Sequence, residues 1–311
     1  MKPFRIAFVG TPQISIPCLE ALSTDERFEI VVVVTQPDMP AGRNLELTPP
    51  PVKTFAVGHD LQVLQPQKIS LIADQLREMQ LDAIVVIAYA QIIPESILSL
   101  PKFGCVNVHG SLLPKYRGAA VLQAPILNND SETGVTIMLM DKNLDTGPIL
   151  KQKAFPITAQ ETAGTLAKKM AEAGAELLPQ TLVDYFSSYI KPQNQDDALA
   201  NYVGRLSKED GLIDWTKPAK QLECFVRAMT PWPSAWTWIA GKKLKIIEVD
   251  PTIMTLTMHK PGKTFIYNST LAVQCGTDSL IIRRLQLEGK KPITSQEFLQ
   301  GYNELIGTIL G

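Results

Sequence analysis

Residues 4–9 form a short, mostly apolar run that ends at Gly10, the length and composition of a strand buried on both faces. The period then changes. Residues 14–22 carry helical spacing, residues 29–35 are β-branched and strand-like, residues 71–79 return to helical spacing, and residues 83–87 make a second continuous apolar run. Strands alternating with helices predict an α/β fold with a doubly wound, mostly parallel, Rossmann-like sheet, because a parallel neighbour needs a crossover connection. Residues 105–109 extend the pattern as another strand and residues 118–127 as a helix. Residues 134–140 and 149–156 follow as a strand pair around the Asp145-Thr146-Gly147 turn. Leu166, Met170, Ala173 and Leu177 recur at helical spacing over residues 162–178. Pro179 has no amide hydrogen and is expected to end or kink that helix.

Residues 191–204 are polar and without an apolar period, which suits an exposed connection. The chain thus divides into a first domain over residues 1–190, a linker over 191–206 and a second domain over 207–311, in keeping with a length of 311 residues. In the second part, residues 219–229 predict a helix. Short alternating segments at 243–249, 252–258, 271–275 and 279–285 predict a small β-barrel of the OB type. Tryptophans beside such a barrel, here Trp232 and Trp236, read as packing or hinge residues.

Composition narrows the class. Hydrophobic residues make up 45% and charged residues 20%, so the chain is expected to fold as an ordinary globular protein. The start lacks the long apolar core of a signal peptide, and no apolar run approaches the roughly 20 residues that span a bilayer, which points to the cytoplasm. Cys18, Cys105, Cys224 and Cys275 are far apart with no Cys-x-x-Cys pair, suggesting neither a zinc site nor a disulfide framework. Net charge is -1, but unevenly placed: residues 1–204 hold 16 basic and 21 acidic side chains, residues 205–311 hold 14 and 10. A basic C-terminal module beside an acidic one fits an appendage that binds a polyanion.

The glycine turn Gly10-Thr11-Pro12 is not followed by Gly-x-x-Gly, and Pro12 removes a backbone donor, which argues against a dinucleotide cofactor. In open α/β sheets, ligands lie beyond the carboxyl ends of the strands, so the segment leaving residues 105–109 is the place for chemistry. There, period two sets Cys105, Asn107 and His109 on one face, where Asn107 and His109 can reach one ligand atom. The loop Ser111-Leu112-Leu113-Pro114 follows directly, and Asp141-Lys142-Asn143-Leu144-Asp145-Thr146-Gly147 comes later.

Together these segments resemble the folate-dependent formyltransferase family, whose shared core pairs an Asn-x-His strand and a Ser-Leu-Leu-Pro loop with a later Asp-Thr-Gly turn. The resemblance implies that Asn107 and His109 donate hydrogen bonds to the formyl oxygen and that Asp145 orients His109 and a proton-carrying water. It further implies that Ser111, Leu112, Leu113 and Pro114 border the folate, with no metal and no nicotinamide. Residues 36–43 with 51–53, 206–210, 213–215 and 227–233 resemble the branch of the family that acts on methionyl-tRNA. In that branch the loop approaches the acceptor stem, which makes Arg43 the candidate tRNA contact, although Glu46 adds a negative charge just beyond it. The implied reaction takes the formyl group of 10-formyltetrahydrofolate to the amino group of methionyl initiator tRNA, for translation initiation, by a protein expected to be a monomer. The alternatives are a sugar-nucleotide N-formyltransferase and a noncatalytic folate- or RNA-binding homologue; a nucleotide-synthesis transformylase would lack the last hundred residues.

Overall fold

The computed structural model describes residues 2–41 and 46–311. They group into two compact units: Met1–Gly118, Thr133–Phe155 and Ala167–Val203 form one, and Ala119–Glu132, Pro156–Leu166 and Gly204–Gly311 the other.

The first unit is built on seven strands: β1 (Phe4–Gly10), β2 (Phe28–Val34), β3 (Val63–Leu64), β4 (Ala83–Ile87), β5 (Cys105–His109), β6 (Glu132–Leu139) and β7 (Ile149–Pro156). Their order across the sheet is β3-β2-β1-β4-β5-β6-β7. β1 runs parallel to β2 and β4, β4 parallel to β5, and β6 turns back antiparallel on β5. Every residue of β4 is buried, which explains why its sequence does not alternate: both sheet faces are covered. The mostly parallel, helix-covered sheet is the Rossmann-like fold expected.

Two helices depart from expectation. The helix Ala163–Phe186 runs through Pro179. Loss of one backbone bond costs about 3 kcal/mol, yet Leu178, Leu182 and Phe186 beyond it are buried. Phe186 meets the rings of Phe103 and Phe4 at 4.4 and 4.8 Å. That packing outweighs the missing bond. The expected helix over residues 118–127 shrinks to Gln123–Leu127, because Arg117–Gly118 pair in parallel with Tyr202–Val203 and Gly118 has φ 108°, outside the right-handed helical region.

The second unit carries an antiparallel sheet of β8 (Ala235–Ile239), β9 (Lys242–Val249), β10 (Thr264–Tyr267), β11 (Thr270–Gln274), β12 (Ser279–Leu287) and β13 (Ile293–Thr294). The path is β8-β9-β12-β11-β10, with β13 also on β12. The helix Ala219–Met229 lays Leu222, Val226 and Met229 into a core with Leu244, Ile246, Leu271, Leu280 and Leu285. The strand expected over residues 252–258 does not form. Met254 makes a single bridge, exchanging backbone bonds with Ser279 at 3.3 and 3.0 Å; beyond it Ser279 Oγ donates to Leu256 O at 2.9 Å and the Asp278 amide donates to Thr257 Oγ1 at 2.9 Å, in place of further ladder bonds.

Candidate active site

The site grows from the carboxyl end of β5. Cys105, at the start of the strand, is buried, and burial pushes its thiol up to about 12, so it is an inert core residue. Asn107 is half-buried, and among the described residues nothing hydrogen-bonds its amide. His109 is 5% exposed. Its Nε2 lies 2.9 Å from the carbonyl of Tyr116, which can only accept, so this nitrogen carries a hydrogen. Its Nδ1 faces Asp145 Oδ1 at 3.7 Å, beyond a direct bond; with the hydrogen on Nε2 both are acceptors, and a water donating to each would link them. The other Asp145 oxygen accepts from the Gly118 amide at 2.8 Å.

Asp145 reaches this place on a tight turn. Asp141 accepts from the Asn143 amide at 3.0 Å and from Thr146 Oγ1 at 2.7 Å, closing the loop on itself. Asp145 itself has φ 56°, a left-handed conformation that aspartate tolerates better than most side chains. At Gly147 any Cβ would lie 1.9 Å from the carbonyl of Leu139, so only glycine fits.

The Ser111-Leu112-Leu113-Pro114 loop divides its labour. Ser111 is fully buried and its hydroxyl donates to the carbonyl of Lys115 at 2.7 Å, while Thr136 Oγ1 donates to the carbonyl of Ser111 at 2.6 Å. Gln152 holds the loop two residues on, donating to the carbonyl of Leu113 at 2.8 Å. Ser111 and Leu113 therefore build the loop, and Leu112 and Pro114 are the members left half-exposed. Arg43 lies outside the described residues. Trp236 is buried, with its indole N–H on the carbonyl of Lys208 at 3.0 Å, whereas Trp232 is half-exposed.

A second polar array, which sequence reasoning missed, occupies the carboxyl ends of β2 and β4. Gln36 donates to the carbonyl of Tyr89 at 2.9 Å and takes a bond from Gln91 at 3.2 Å. Gln65 donates to the carbonyl of Gln36 and to Asp38, and Lys53 also binds Asp38, at 2.8 Å. The Lys53 and Gln65 bonds hold the Asp38 carboxyl below its ordinary value. Tyr89 is buried, its hydroxyl has no partner among the described residues, and burial pushes it up to about 12. The signal available in the sequence was the polar residue just past each buried strand, Gln36 and Gln91.

Among the described residues no group of three or more His, Cys, Asp or Glu side chains could hold a metal ion, and no helix is long and apolar enough to cross a membrane.

The site thus sets an open amide beside a buried histidine and a carboxylate at the carboxyl end of β5, inside a Rossmann-like sheet. The chain belongs to the formyl transferase family: residues 4–182 match its formyl transferase domain and residues 205–303 its formyl transferase C-terminal domain. Among individual relatives, the methionyl-tRNA formyltransferase of Citrifermentans bemidjiense is 45% identical over 315 residues, covering 100% of this chain and 98% of that one. The methionyl-tRNA formyltransferase of Geobacter sulfurreducens is 43% identical over 314 residues with the same coverage, 100% and 98%. Solved structures share the fold at lower identity. The N-formyltransferase from Helicobacter canadensis, in complex with folinic acid and dTDP-3-aminofucose, superposes with a TM-score of 0.68 at 20% identity, covering 90% of this chain and 98% of that one. HypX from Aquifex aeolicus in complex with tetrahydrofolic acid gives 0.66 at 14% identity, over 98% of this chain and 48% of that one.

Proposed function

We propose that this chain is a cytoplasmic enzyme that transfers the formyl group of 10-formyltetrahydrofolate to the amino group of methionine esterified to initiator tRNA. The observation that carries this reading is the likeness to methionyl-tRNA formyltransferases at 43% and 45% identity over the whole chain. The sugar-nucleotide alternative has only fold-level likeness behind it, at 20% identity.

The chemistry follows from the site. An ester withdraws electrons from the adjacent amine, leaving much of it neutral and nucleophilic near neutral pH, so the attack needs positioning more than a strong base. As the amine nitrogen bonds to the formyl carbon, the formyl oxygen takes on negative charge. When the carbon's bond to the folate nitrogen then breaks, that nitrogen takes a proton. Asn107 has its amide unengaged and donates to the developing oxyanion. His109 Nε2 adds a second donor by exchanging the Tyr116 carbonyl for the substrate oxygen, and Asp145 holds a water that donates to Nδ1, steadies the ring and carries the proton. Leu112 and Pro114 border the folate on a loop fixed by Ser111 and Leu113, and Arg43 contacts the tRNA backbone.

Transfer of labelled formyl groups tests this directly. Labelling of initiator methionyl-tRNA in preference to elongator methionyl-tRNA and an amino-sugar nucleotide supports it. Labelling of the sugar alone would replace the acceptor while keeping the chemistry, and folate binding without transfer would make the protein a noncatalytic homologue.

A further inference from the structure

The polar stretch after the long helix is bonded to both loops of the site. Gln193 exchanges backbone bonds with Ile149, each 2.8 Å long, at the end of the Asp145 turn. Gln195 Nε2 donates to the carbonyls of Asp145 and Gly147 at 2.9 and 2.8 Å. Asn201 accepts from the Tyr116 amide through its side chain and from the Arg117 amide through its carbonyl, the latter at 2.9 Å. Tyr202–Val203 then pair with Arg117–Gly118. The pairing is so close at Gly118 that a Cβ there would fall 2.4 Å from the carbonyl of Val203.

One buried cation organises this strap. Arg117 is 2% exposed, and its guanidinium donates to Gln195 Oε1 at 3.1 and 2.9 Å, to Tyr202 Oη at 3.1 Å and to Asp197 at 2.7 Å. With Oε1 occupied by the planar guanidinium fork, the amide nitrogen of Gln195 has one direction left, toward the two carbonyls flanking Thr146. Those bonds brace a turn whose first residue, Asp145, sits in the left-handed region at φ 56°. The same turn aims the Asp145 carboxylate at His109 and at the amide of Gly118, itself part of the strap pairing.

We propose that Gln195 is a positioning residue for catalysis, oriented by Arg117 and acting through Asp145. The inference rests on the reading of Asp145 as the carboxylate that serves His109. Gln195 touches no reacting atom; it fixes where the carboxylate stands, and a displacement of about 1 Å in such a group costs on the order of 10-fold to 100-fold in turnover.

The test is a double-mutant cycle between Gln195→Ala and Asp145→Ala, measured as kcat and KM for formyl transfer to methionyl initiator tRNA in the otherwise intact enzyme. Gln195→Ala is expected to lower kcat by about 10-fold or more while KM for both substrates stays within about twofold, the sign of an interaction that matters in the transition state. In the Asp145→Ala background the same substitution is expected to change kcat by less than about twofold, since its route of action is gone. Equal effects in both backgrounds would assign Gln195 a general structural role and overturn the proposal. So would a normal kcat in Gln195→Ala beside a depressed one in Asp145→Ala. A normal kcat in Asp145→Ala would instead overturn the reading of the site itself. Gln195→Met, of similar volume but without donors, gives the same readout if the alanine variant fails to fold.

Discussion

Two buried polar clusters, one in each unit, differ in how completely their atoms are used. In the second unit Glu223 is 1% exposed. Its carboxylate takes Arg227 through Nε and through Nη2 at 3.1 Å, and Lys220 at 2.9 Å, while Arg227 Nη1 donates to the carbonyl of Glu161 at 3.0 Å. That network is closed. In the first unit the His109 cluster is open: the Asn107 amide bonds nothing among the described residues, and His109 Nδ1 stops 3.7 Å short of Asp145. A half-buried amide keeps part of its hydration, so leaving it unbonded costs the fold less than the about 1–3 kcal/mol of a fully buried group. On the function proposed above, that unbonded amide is available to a substrate, whereas the polar atoms of the Glu223 network are taken up within the unit.

The contrast breaks at its strongest point if Glu223→Ala is harmless. Removing the carboxylate leaves the largely buried Arg227 without its ion pair, which is expected to destabilise the second unit by about 3 kcal/mol. Thermal melting should fall by several degrees, with turnover retained at temperatures where the protein stays folded. Asn107→Ala should do the reverse. Loss of an oxyanion donor is expected to cut kcat by about 10²–10³, with the melting temperature unchanged because no protein bond is lost. If Asn107→Ala melted early and turned over normally, the open cluster would be structural after all.

Acid sharpens the same comparison at smaller scale. Burial pushes the Glu223 carboxyl up, but the hydrogen bonds from Arg227 and Lys220 outweigh it and hold the group below its ordinary 4.5. A depressed carboxylate contributes stability that is present above the unfolded value and is lost as pH falls through the lower folded value. The stability gap between the native protein and Glu223→Gln should therefore be constant above about pH 5 and close as pH drops below 4.5. A gap that widened in acid would reverse the sign assigned to this pair.

How much of this was legible in the sequence depends on what each residue bonds. Period two alone set Asn107 and His109 on one face of β5, and the structure brings the Asp145 turn to the same place. The continuous apolar runs of β1 and β4 gave the buried middle of the sheet within a residue. Gln195 and Asn201 were not legible, because their partners are backbone groups of loops some fifty and eighty-five residues away, recorded only in the fold. Arg117 carries no sequence sign of being 2% exposed, since an arginine before a glycine ordinarily reads as surface. The alternation of residues 252–258 misled for the opposite reason: its pattern is strand-like, but pairing stops at the one Met254–Ser279 bridge, and beyond it the side chains of Ser279 and Thr257 take the places of ladder bonds.

The smallest expected effect concerns the one nucleophile on the site's own strand. Cys105 shares a face with Asn107 and His109, and alternation alone would make it a candidate for covalent chemistry. Burial decides otherwise. It is 1% exposed, its thiol points at the carbonyls of Ile97 and Leu98, and it is pushed up to about 12, so almost no thiolate exists near neutral pH. Cys18 and Cys275 are buried and shifted to about 12 in the same way. Native protein at pH 8 should therefore take up no iodoacetamide at Cys105 and lose no activity, while denatured protein labels fully. Cys105→Ala should keep kcat, at a stability cost of about 1 kcal/mol for the small cavity. Rapid native labelling of Cys105 that tracks loss of turnover would mean that the face below Asn107 opens to solvent, and the open cluster would then reach deeper into the sheet than Asn107.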